Sequence, residues 1–280
     1  MAIRVAEIIA RRLPGIGTTS LPQLKIALQL RSLRQPLRQA LVTASRLGAH
    51  AVEIDARTEL RPAELTQTAL RQFRKLLDDL NLRVSALSFR TRRGYDETEA
   101  LDRRVEATKE VMQMAHTLGT TLVLNCVGSV PADEENPRWK LLVEVMSDLA
   151  AHGNRVGAML AAETGNDSPE LLAKLLAVLP PGATAVSLDP AALVMHGYDP
   201  QQAVAVFGSH VQNVAARDAV RDRAASRGEE VQLGRGSVDF PALLGALEQR
   251  DYRGYFTVAR DAASRPAEEL GLAIQYLKNI

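Results

Sequence analysis

Two carboxylates stand at the ends of two predicted parallel strands. Glu163 follows the apolar run 159–162, and Asp189 follows the apolar run 183–188. The leucine-rich segment between them has helical spacing, so the whole segment is predicted to be strand–helix–strand. A helical crossover brings the carboxyl ends of both strands to one edge of a sheet, where α/β proteins keep their active sites. We therefore expect Glu163 and Asp189 to be neighbours in a site.

The chemistry of this pair depends on which way the two side chains point. Side chains alternate along a barrel strand, so an inward Glu163 implies an inward Ala161, and an inward Asp189 implies an inward Ser187. Two inward carboxylates repel each other unless a cation or a shared proton lies between them, and a divalent metal is the usual solution. Alternatively, both acids are solvated caps of the helices that follow. The spacing leaves both interpretations open.

Eight strand-like runs, each followed by a helical segment, predict one α/β domain, a single (β/α)8 TIM barrel. The predicted strands cover residues 24–29, 51–55, 82–88, 121–125, 159–163, 183–188, 210–215 and 252–258. An open doubly wound sheet is disfavoured because no glycine-rich dinucleotide or phosphate fingerprint follows the first strand. The highly charged segment 216–231 follows the seventh strand, and its composition fits either a lid or a subunit contact.

The charge balance argues against two classes of partner. The chain of 280 residues carries 34 Lys+Arg against 33 Asp+Glu, a net charge of +1, so neither a nucleic acid nor a membrane surface is expected as a partner. No apolar run approaches the roughly 20 residues that a membrane span needs. The single cysteine, Cys126, excludes an internal disulfide and fits a reducing compartment, so a cytoplasmic location is expected.

The first part of the chain differs in character from the rest. Residues 1–22 are predicted to be an N-terminal arm and linker, and residues 23–280 the barrel. The arm is mildly amphipathic and basic, with Arg4, Arg11 and Arg12. Because it lacks the apolar core of a targeting peptide, a short helix packed on the domain or a loose arm is favoured.

Several motifs together give the chain a family resemblance that covers roughly residues 24–277. They are Leu47-Gly-Ala-His-Ala-Val-Glu-Ile-Asp55, Ala162-Glu163-Thr-Gly165, Ser187-Leu-Asp189-Pro190, His210-Val-Gln-Asn-Val-Ala-Ala-Arg-Asp218, Gly234-Arg-Gly-Ser-Val-Asp239-Phe240 and Gly254-Tyr-Phe-Thr-Val-Ala259-Arg260. With these motifs the chain resembles the xylose-isomerase-like superfamily of sugar (phosphate) isomerases and epimerases, which includes relatives of endonuclease IV. The resemblance implies a (β/α)8 barrel.

The resemblance also implies a metal site that this chain carries only in part. Intact relatives hold a divalent metal (Mn, Co, Mg or Zn) with a Glu from strand five, an Asp from strand six, a His from strand seven and a Glu from strand eight. Glu163 and Asp189 match the first two ligands, but Ala215 and Ala259 occupy the other two positions. Two carboxylates alone make a poor site, so we expect residual, weak metal binding and no tightly bound cofactor.

Four further residues at the predicted upper rim are candidates for binding a substrate. They are Glu53, Arg92, Asn125 and Arg217. The guanidinium groups suit anionic oxygens, and the carboxylate and amide suit hydroxyl groups. Each has an alternative role: Glu53 as a capping or salt-bridged acid, the arginines as solvated surface charges, and Asn125 as a partner of loop backbone.

The resemblance implies an isomerase or epimerase activity on a small sugar-like molecule. In this interpretation Glu163 is the base that moves a proton next to a carbonyl, and Asp189 is its electrostatic partner. The missing ligands leave a second interpretation open, a catalytically silent barrel that binds a sugar-like ligand or a partner subunit. A homo-oligomer is compatible with either. A nucleic-acid enzyme is disfavoured by the near-neutral charge and the missing histidines.

Overall fold

The computed structural model describes residues 24–165, 167–182, 184–222 and 227–280. Eight parallel strands close into a barrel, so the predicted (β/α)8 fold is confirmed. The barrel strands are β1 (Ile26–Gln29), β2 (Ala51–Asp55), β3 (Arg83–Ser88), β4 (Leu122–Asn125), β5 (Met159–Glu163), β6 (Thr184–Leu188), β7 (Val211–Ala216) and β10 (Tyr255–Val258). The barrel closes where β10 pairs with both β7 and β1. The predicted arm, residues 1–22, lies outside the described residues.

Helices surround the strands, and all but α3 begin at a side-chain cap or next to a proline. They are α1 (Leu37–Arg46), α2 (Gln67–Asp79), α3 (Leu101–Thr117), α4 (Pro137–Val156), α5 (Pro169–Val178), α6 (Pro190–His196), α7 (Pro200–Phe207), α8 (Phe240–Glu248) and α9 (Pro266–Lys278). Proline at the first helical position loses no hydrogen bond, which explains why so many of these helices begin on one. No described helix has both the length and the apolar character needed to cross a membrane.

Two apolar layers hold the barrel together. The larger lies between the strands and the helices, and the smaller fills the inside of the barrel. The inner layer contains Ala86, Leu124, Ala161 and Ala185. Because side chains alternate, the residues two and four positions further along the same strands also face the barrel axis. These are the positions from which the candidate site is built.

The charged segment after β7 forms an antiparallel hairpin of β8 (Asp218–Asp222) and β9 (Arg227–Val231) outside the barrel. Asp218 anchors the loop that follows, because its buried carboxylate accepts hydrogen bonds from the backbone N–H groups of Gly234, Gly236 and Val238. A Cβ atom at Gly236 would lie 2.1 Å from Asp218 Oδ1. Gly236 of the Gly234-Arg-Gly236 motif therefore permits this close approach.

Candidate functional site

Glu163 and Asp189 line one narrow space at the carboxyl ends of the barrel strands. The neighbouring Thr164 joins their strands, since its N–H donates to Ser187 O and its hydroxyl accepts from Asp189 N at 2.8 Å. We call this space the mouth. Its lining residues are Gln29, Glu53, Arg90, Leu124, Glu163, Ser187, Asp189, Asn213, Ala215, Arg217, Ala259 and Asp261.

The first carboxylate of the mouth is held by an arginine. Arg90 Nε lies 2.9 Å from Glu163 Oε2, and Arg90 Nη2 lies 2.9 Å from Glu163 Oε1, so the contact is bidentate. Burial lowers the pKa of Arg90, but the attraction of Glu163, aided by Glu53 and Asp261, outweighs it and the pKa is raised. The guanidinium therefore stays charged and neutralises Glu163.

The second carboxylate is held by another arginine that joins three acids. Arg217 Nη1 lies 2.7 Å from Asp189 Oδ2, Nε lies 2.8 Å from Glu230 Oε1, and Nη2 lies 3.2 Å from Asp261 Oδ2. Burial again lowers the pKa of Arg217, and the attraction of the three carboxylates raises it further than burial lowers it. Asp189 also caps α6, accepting a hydrogen bond from Ala192 N at 3.0 Å. Asp189 is therefore a helix cap, but a buried and ion-paired one and not the solvated cap of the alternative interpretation.

The mouth does not fit the divalent metal that the resemblance implies. Ala215 and Ala259 line it with methyl groups where two ligands are expected, and the guanidinium groups of Arg90 and Arg217 face the two remaining carboxylates. Only about 10 Å³ of free space remains. No group of three or more His, Cys, Asp or Glu side chains in the described part of the chain is arranged to hold a metal ion.

Glu53 lies at the bottom of the mouth and is 3% exposed. Its Oε1 accepts a hydrogen bond from Gln29 Nε2 at 2.8 Å, and Gln29 Oε1 accepts one from the Ser32 hydroxyl. Burial raises the pKa of Glu53; the Gln29 hydrogen bond lowers it in part, and repulsion from Glu163 raises it again. Glu53 is thus an acid whose protonated form is favoured beside a second carboxylate.

The other predicted substrate-binding residues occupy different environments. Arg92 is exposed in the loop after β3 and does not line the mouth. Asn125 is fully buried, with its Oδ1 accepting from Thr91 N at 3.1 Å and its Nδ2 donating to the Tyr95 hydroxyl at 2.8 Å. Its amide therefore organises the loop after β3, as the alternative interpretation supposed. Arg217 lies in the mouth, but its guanidinium contacts protein carboxylates.

Three residues that form ion pairs in the mouth are not among the site residues predicted from the sequence: Arg90, Glu230 and Asp261. Side chains alternate along a strand, so Arg90, two residues after Ser88 at the end of β3, is expected to face the barrel axis. Arg92 lies further from the strand. Glu230 and Asp261 come from the hairpin and from the loop after β10, and no pattern in the sequence links them to Arg217. The contacts of Glu230 and Asp261 with Arg217 therefore become apparent only in the folded structure.

A wider cavity of about 280 Å³ adjoins the mouth above β4, β5 and β6. Four side chains belong to both spaces: Arg90, Glu163, Asp189 and Arg217. Its remaining lining residues are Cys126, Val127, Gly128, Thr164, Gly165, Asp167, Leu172 and Ala192. A small ligand in this cavity would contact both guanidinium–carboxylate pairs from above.

Glu59, close to the mouth, makes the stability of the fold depend on pH. Its Oε2 accepts a hydrogen bond from Asp55 N at 2.8 Å. Burial raises the pKa of Glu59 to about 7; the Asp55 N–H lowers it in part, and the charges of Asp55 and Glu53 raise it. In the unfolded chain the pKa is about 4.3. The stability that protonated Glu59 contributes is therefore complete below about pH 4.3 and is lost as the pH rises through about 7.

We expect Glu59→Gln to raise the free energy of unfolding at pH 8 by about 2 kcal/mol and to leave it unchanged at pH 4. The amide keeps an acceptor for Asp55 N but carries no charge to be buried. Urea unfolding at both pH values checks this, with the exposed Glu110→Gln as the control. An equal gain at both pH values would show that the charge of Glu59 is not the cause.

Comparison with known proteins places this barrel in a family. The profile of the xylose isomerase-like TIM barrel family matches residues 41–280. The chain therefore belongs to that family, as the motifs of the sequence indicated. No curated protein sequence matches the chain significantly.

Solved structures share the fold over almost the whole chain. A xylose isomerase domain protein from Planctomyces limnophilus is 23% identical, with a TM-score of 0.81, covering 92% of this chain and 97% of its own. A xylose isomerase-like TIM barrel protein from Mycobacterium smegmatis, in complex with magnesium, is 17% identical, with a TM-score of 0.73 and coverages of 91% and 96%. A D-allulose 3-epimerase from Methylomonas sp., in complex with D-allulose, is 18% identical, with a TM-score of 0.72 and coverages of 92% and 98%.

Proposed function

We propose that the protein binds a neutral sugar-like molecule above the mouth and moves a proton next to its carbonyl without a resident divalent metal. The reaction is of the isomerase or epimerase type. The observation that carries the proposal is a pair of ion pairs, in which the guanidinium group of Arg90 binds Glu163 and that of Arg217 binds Asp189. Membership of a family of sugar isomerases and epimerases, and the D-allulose bound by one structural relative, support the class of ligand.

The charges of the mouth favour a neutral ligand over a sugar phosphate. Four acids line the mouth (Glu53, Glu163, Asp189 and Asp261) against two arginines. Even with Glu53 protonated, the carboxylates outnumber the guanidinium groups. An anionic ligand therefore meets no surplus positive charge, whereas hydroxyl groups can donate to the carboxylate oxygens that the arginines leave accessible.

Proton transfer in this arrangement uses a base and a fixed positive charge. Glu163 takes the proton from the carbon next to the carbonyl. The electron pair of the broken C–H bond forms a carbon–carbon double bond, and the π pair of the carbonyl moves onto its oxygen. Arg90 stabilises the oxyanion that forms, because its Nη1 makes no hydrogen bond to a described residue while Nε and Nη2 hold Glu163. A proton delivered from solvent to the opposite face of the same carbon gives the epimer, while Glu163 releases its proton to solvent. Return of the proton from Glu163 to the former carbonyl carbon, with the neighbouring hydroxyl proton passing to the oxyanion, gives the isomer.

A catalytically silent barrel is the second candidate. The observation that favours it is that protein side chains fill the mouth. About 10 Å³ is free, and arginines neutralise the carboxylates of Glu163 and Asp189. A carboxylate held by an arginine is a weaker base than a free one. In this interpretation the cavity above the mouth binds a sugar-like ligand or a partner subunit without chemistry.

Deuterium exchange separates the two candidates. In D2O, neutral ketoses such as D-allulose and D-fructose should gain deuterium next to the carbonyl, at a rate that EDTA does not change. Glu163→Gln should reduce that rate by about 100-fold or more, the loss typical of a missing general base, and the exposed Glu110→Gln should not. Saturable sugar binding without exchange would establish the silent barrel. Exchange abolished by EDTA, or neither binding nor exchange, would overturn the proposal.

A further inference from the structure

A second cavity, of about 500 Å³, opens at the opposite end of the barrel. It is bounded by the amino-terminal ends of β3, β4, β7 and β10 and by the turn after α8. None of its lining residues belongs to the mouth or to the cavity above it. Its volume falls in the range of small-molecule sites in proteins, about 300–1,000 Å³.

The charge of this lower cavity is positive. Arg83, Arg250 and Arg253 line it, against the single carboxylate of Asp251. Asp251 pairs with Arg253 at 3.2 Å, and Arg250 makes one long hydrogen bond, of 3.4 Å, to Ala205 O. The side chain of Arg83 has neither a hydrogen bond nor an ion pair with any residue the structure describes. Two guanidinium groups therefore remain available to an anion.

A buried hydroxyl lies in the same wall. Ser85 lines the cavity and is 6% exposed, and its Oγ finds no hydrogen-bond partner among the described residues. The β2–β3 ladder shifts register there, since Val52 pairs with Val84 and Glu53 pairs with Ala86, which leaves Ser85 out of the pairing. Its carbonyl is satisfied by the Thr120 hydroxyl at 2.7 Å, but its own hydroxyl is not. Buried polar groups are normally hydrogen-bonded, so this one points to a missing partner.

We propose that the lower cavity binds a small organic oxyanion, a phosphate or a carboxylate, through Arg83 and Arg250, with the Ser85 hydroxyl completing the site. Guanidinium groups match the paired oxygens of both anions. The residues before Leu24 are a poor occupant by charge, because they carry Arg4, Arg11 and Arg12 against one acid, Glu7. The site is independent of the chemistry proposed at the mouth.

Calorimetric titration of the full chain with pyrophosphate, and separately with citrate, tests this inference at constant ionic strength. We expect saturable binding of at least one probe, with a Kd below about 1 mM. Which probe binds tells phosphate recognition from carboxylate recognition. Arg83→Gln and Arg250→Gln should each weaken binding by about 10-fold or more, as expected for a lost charge-assisted hydrogen bond, and Ser85→Ala should weaken it less.

The matched control is Arg103→Gln, an exposed arginine on α3, near the other end of the barrel, which should bind the probe like the parent. Arg83→Lys keeps the charge and should recover part of the affinity lost in Arg83→Gln. Far-ultraviolet circular dichroism and thermal melts establish that each variant is folded. Absence of binding to both probes, or equal binding by the parent and Arg83→Gln, would overturn the inference.

Discussion

Arg217→Met is expected to lower the free energy of unfolding by about 3–5 kcal/mol, the usual loss when one partner of a buried ion pair is removed. The Arg217 side chain is 11% exposed, and those of Asp189 and Glu230 are 9% and 7% exposed. Methionine fills much of the same volume but leaves two buried carboxylates without their shared counter-charge.

Chemical denaturation at pH 7 measures this loss. Arg235→Met is the control, since Arg235 is exposed in the loop after β9 and has no ion pair with a described residue. A loss at pH 7 no larger than that of the control would show that Arg217 is a surface charge and does not hold the mouth together.

Restoring the two expected ligands with Ala215→His and Ala259→Glu is not expected to create a tight metal site by itself. In that double variant Arg90 still forms an ion pair with Glu163, and Arg217 with Asp189. A divalent cation would therefore meet two fixed positive charges within a few ångströms. Adding Arg90→Met and Arg217→Met frees both carboxylates. The fourfold variant then carries three carboxylates and an imidazole, a ligand set that suits a divalent transition metal.

We expect the fourfold variant to bind Mn²⁺ about 100-fold more tightly than the double variant. Metal should also raise its melting temperature, because binding to the folded state alone stabilises that state. Titration calorimetry and metal analysis after dialysis measure these effects, and the double arginine variant with both alanines retained is the control. A tightly held ion in the parent chain, or equal affinity in the double and fourfold variants, would contradict the proposal that the arginines stand in for the metal.

The fold could be predicted because its signals are local and repeated. The runs that end on Glu163 and Asp189 are apolar, of strand length and bounded by turn residues, and their observed strands differ from the prediction by no more than one residue. Alternation then predicted which side chains face the axis, as Ala161 and Ser187 do. The helix expected after Asp189 is α6, which has only seven residues and begins directly after that cap.

The contents of the mouth could be predicted only in part. The two alanines were visible at the expected ligand positions, but the arginines that face Glu163 and Asp189 were not recognised as their partners. An arginine has a long, flexible side chain, so its partner depends on which loops the fold brings within reach. Arg217 and Glu230 are a clear case, because the charged composition of segment 216–231 suggests a lid or a subunit contact but does not predict the β8–β9 hairpin that joins them.

Glu230 connects this hairpin to the loop after β10, the strand that pairs with β7. One of its carboxylate oxygens binds Arg217, and the other accepts hydrogen bonds from the backbone N–H groups of Asp261 and Ala262 at 3.0 and 2.9 Å. The hairpin, the end of β7 and the loop after β10 therefore share one buried charge. Moving any of them breaks contacts in the other two, so this rim of the barrel should open as a single cooperative unit. Hydrogen exchange of the Asp261 and Ala262 amides should then report the same free energy of opening.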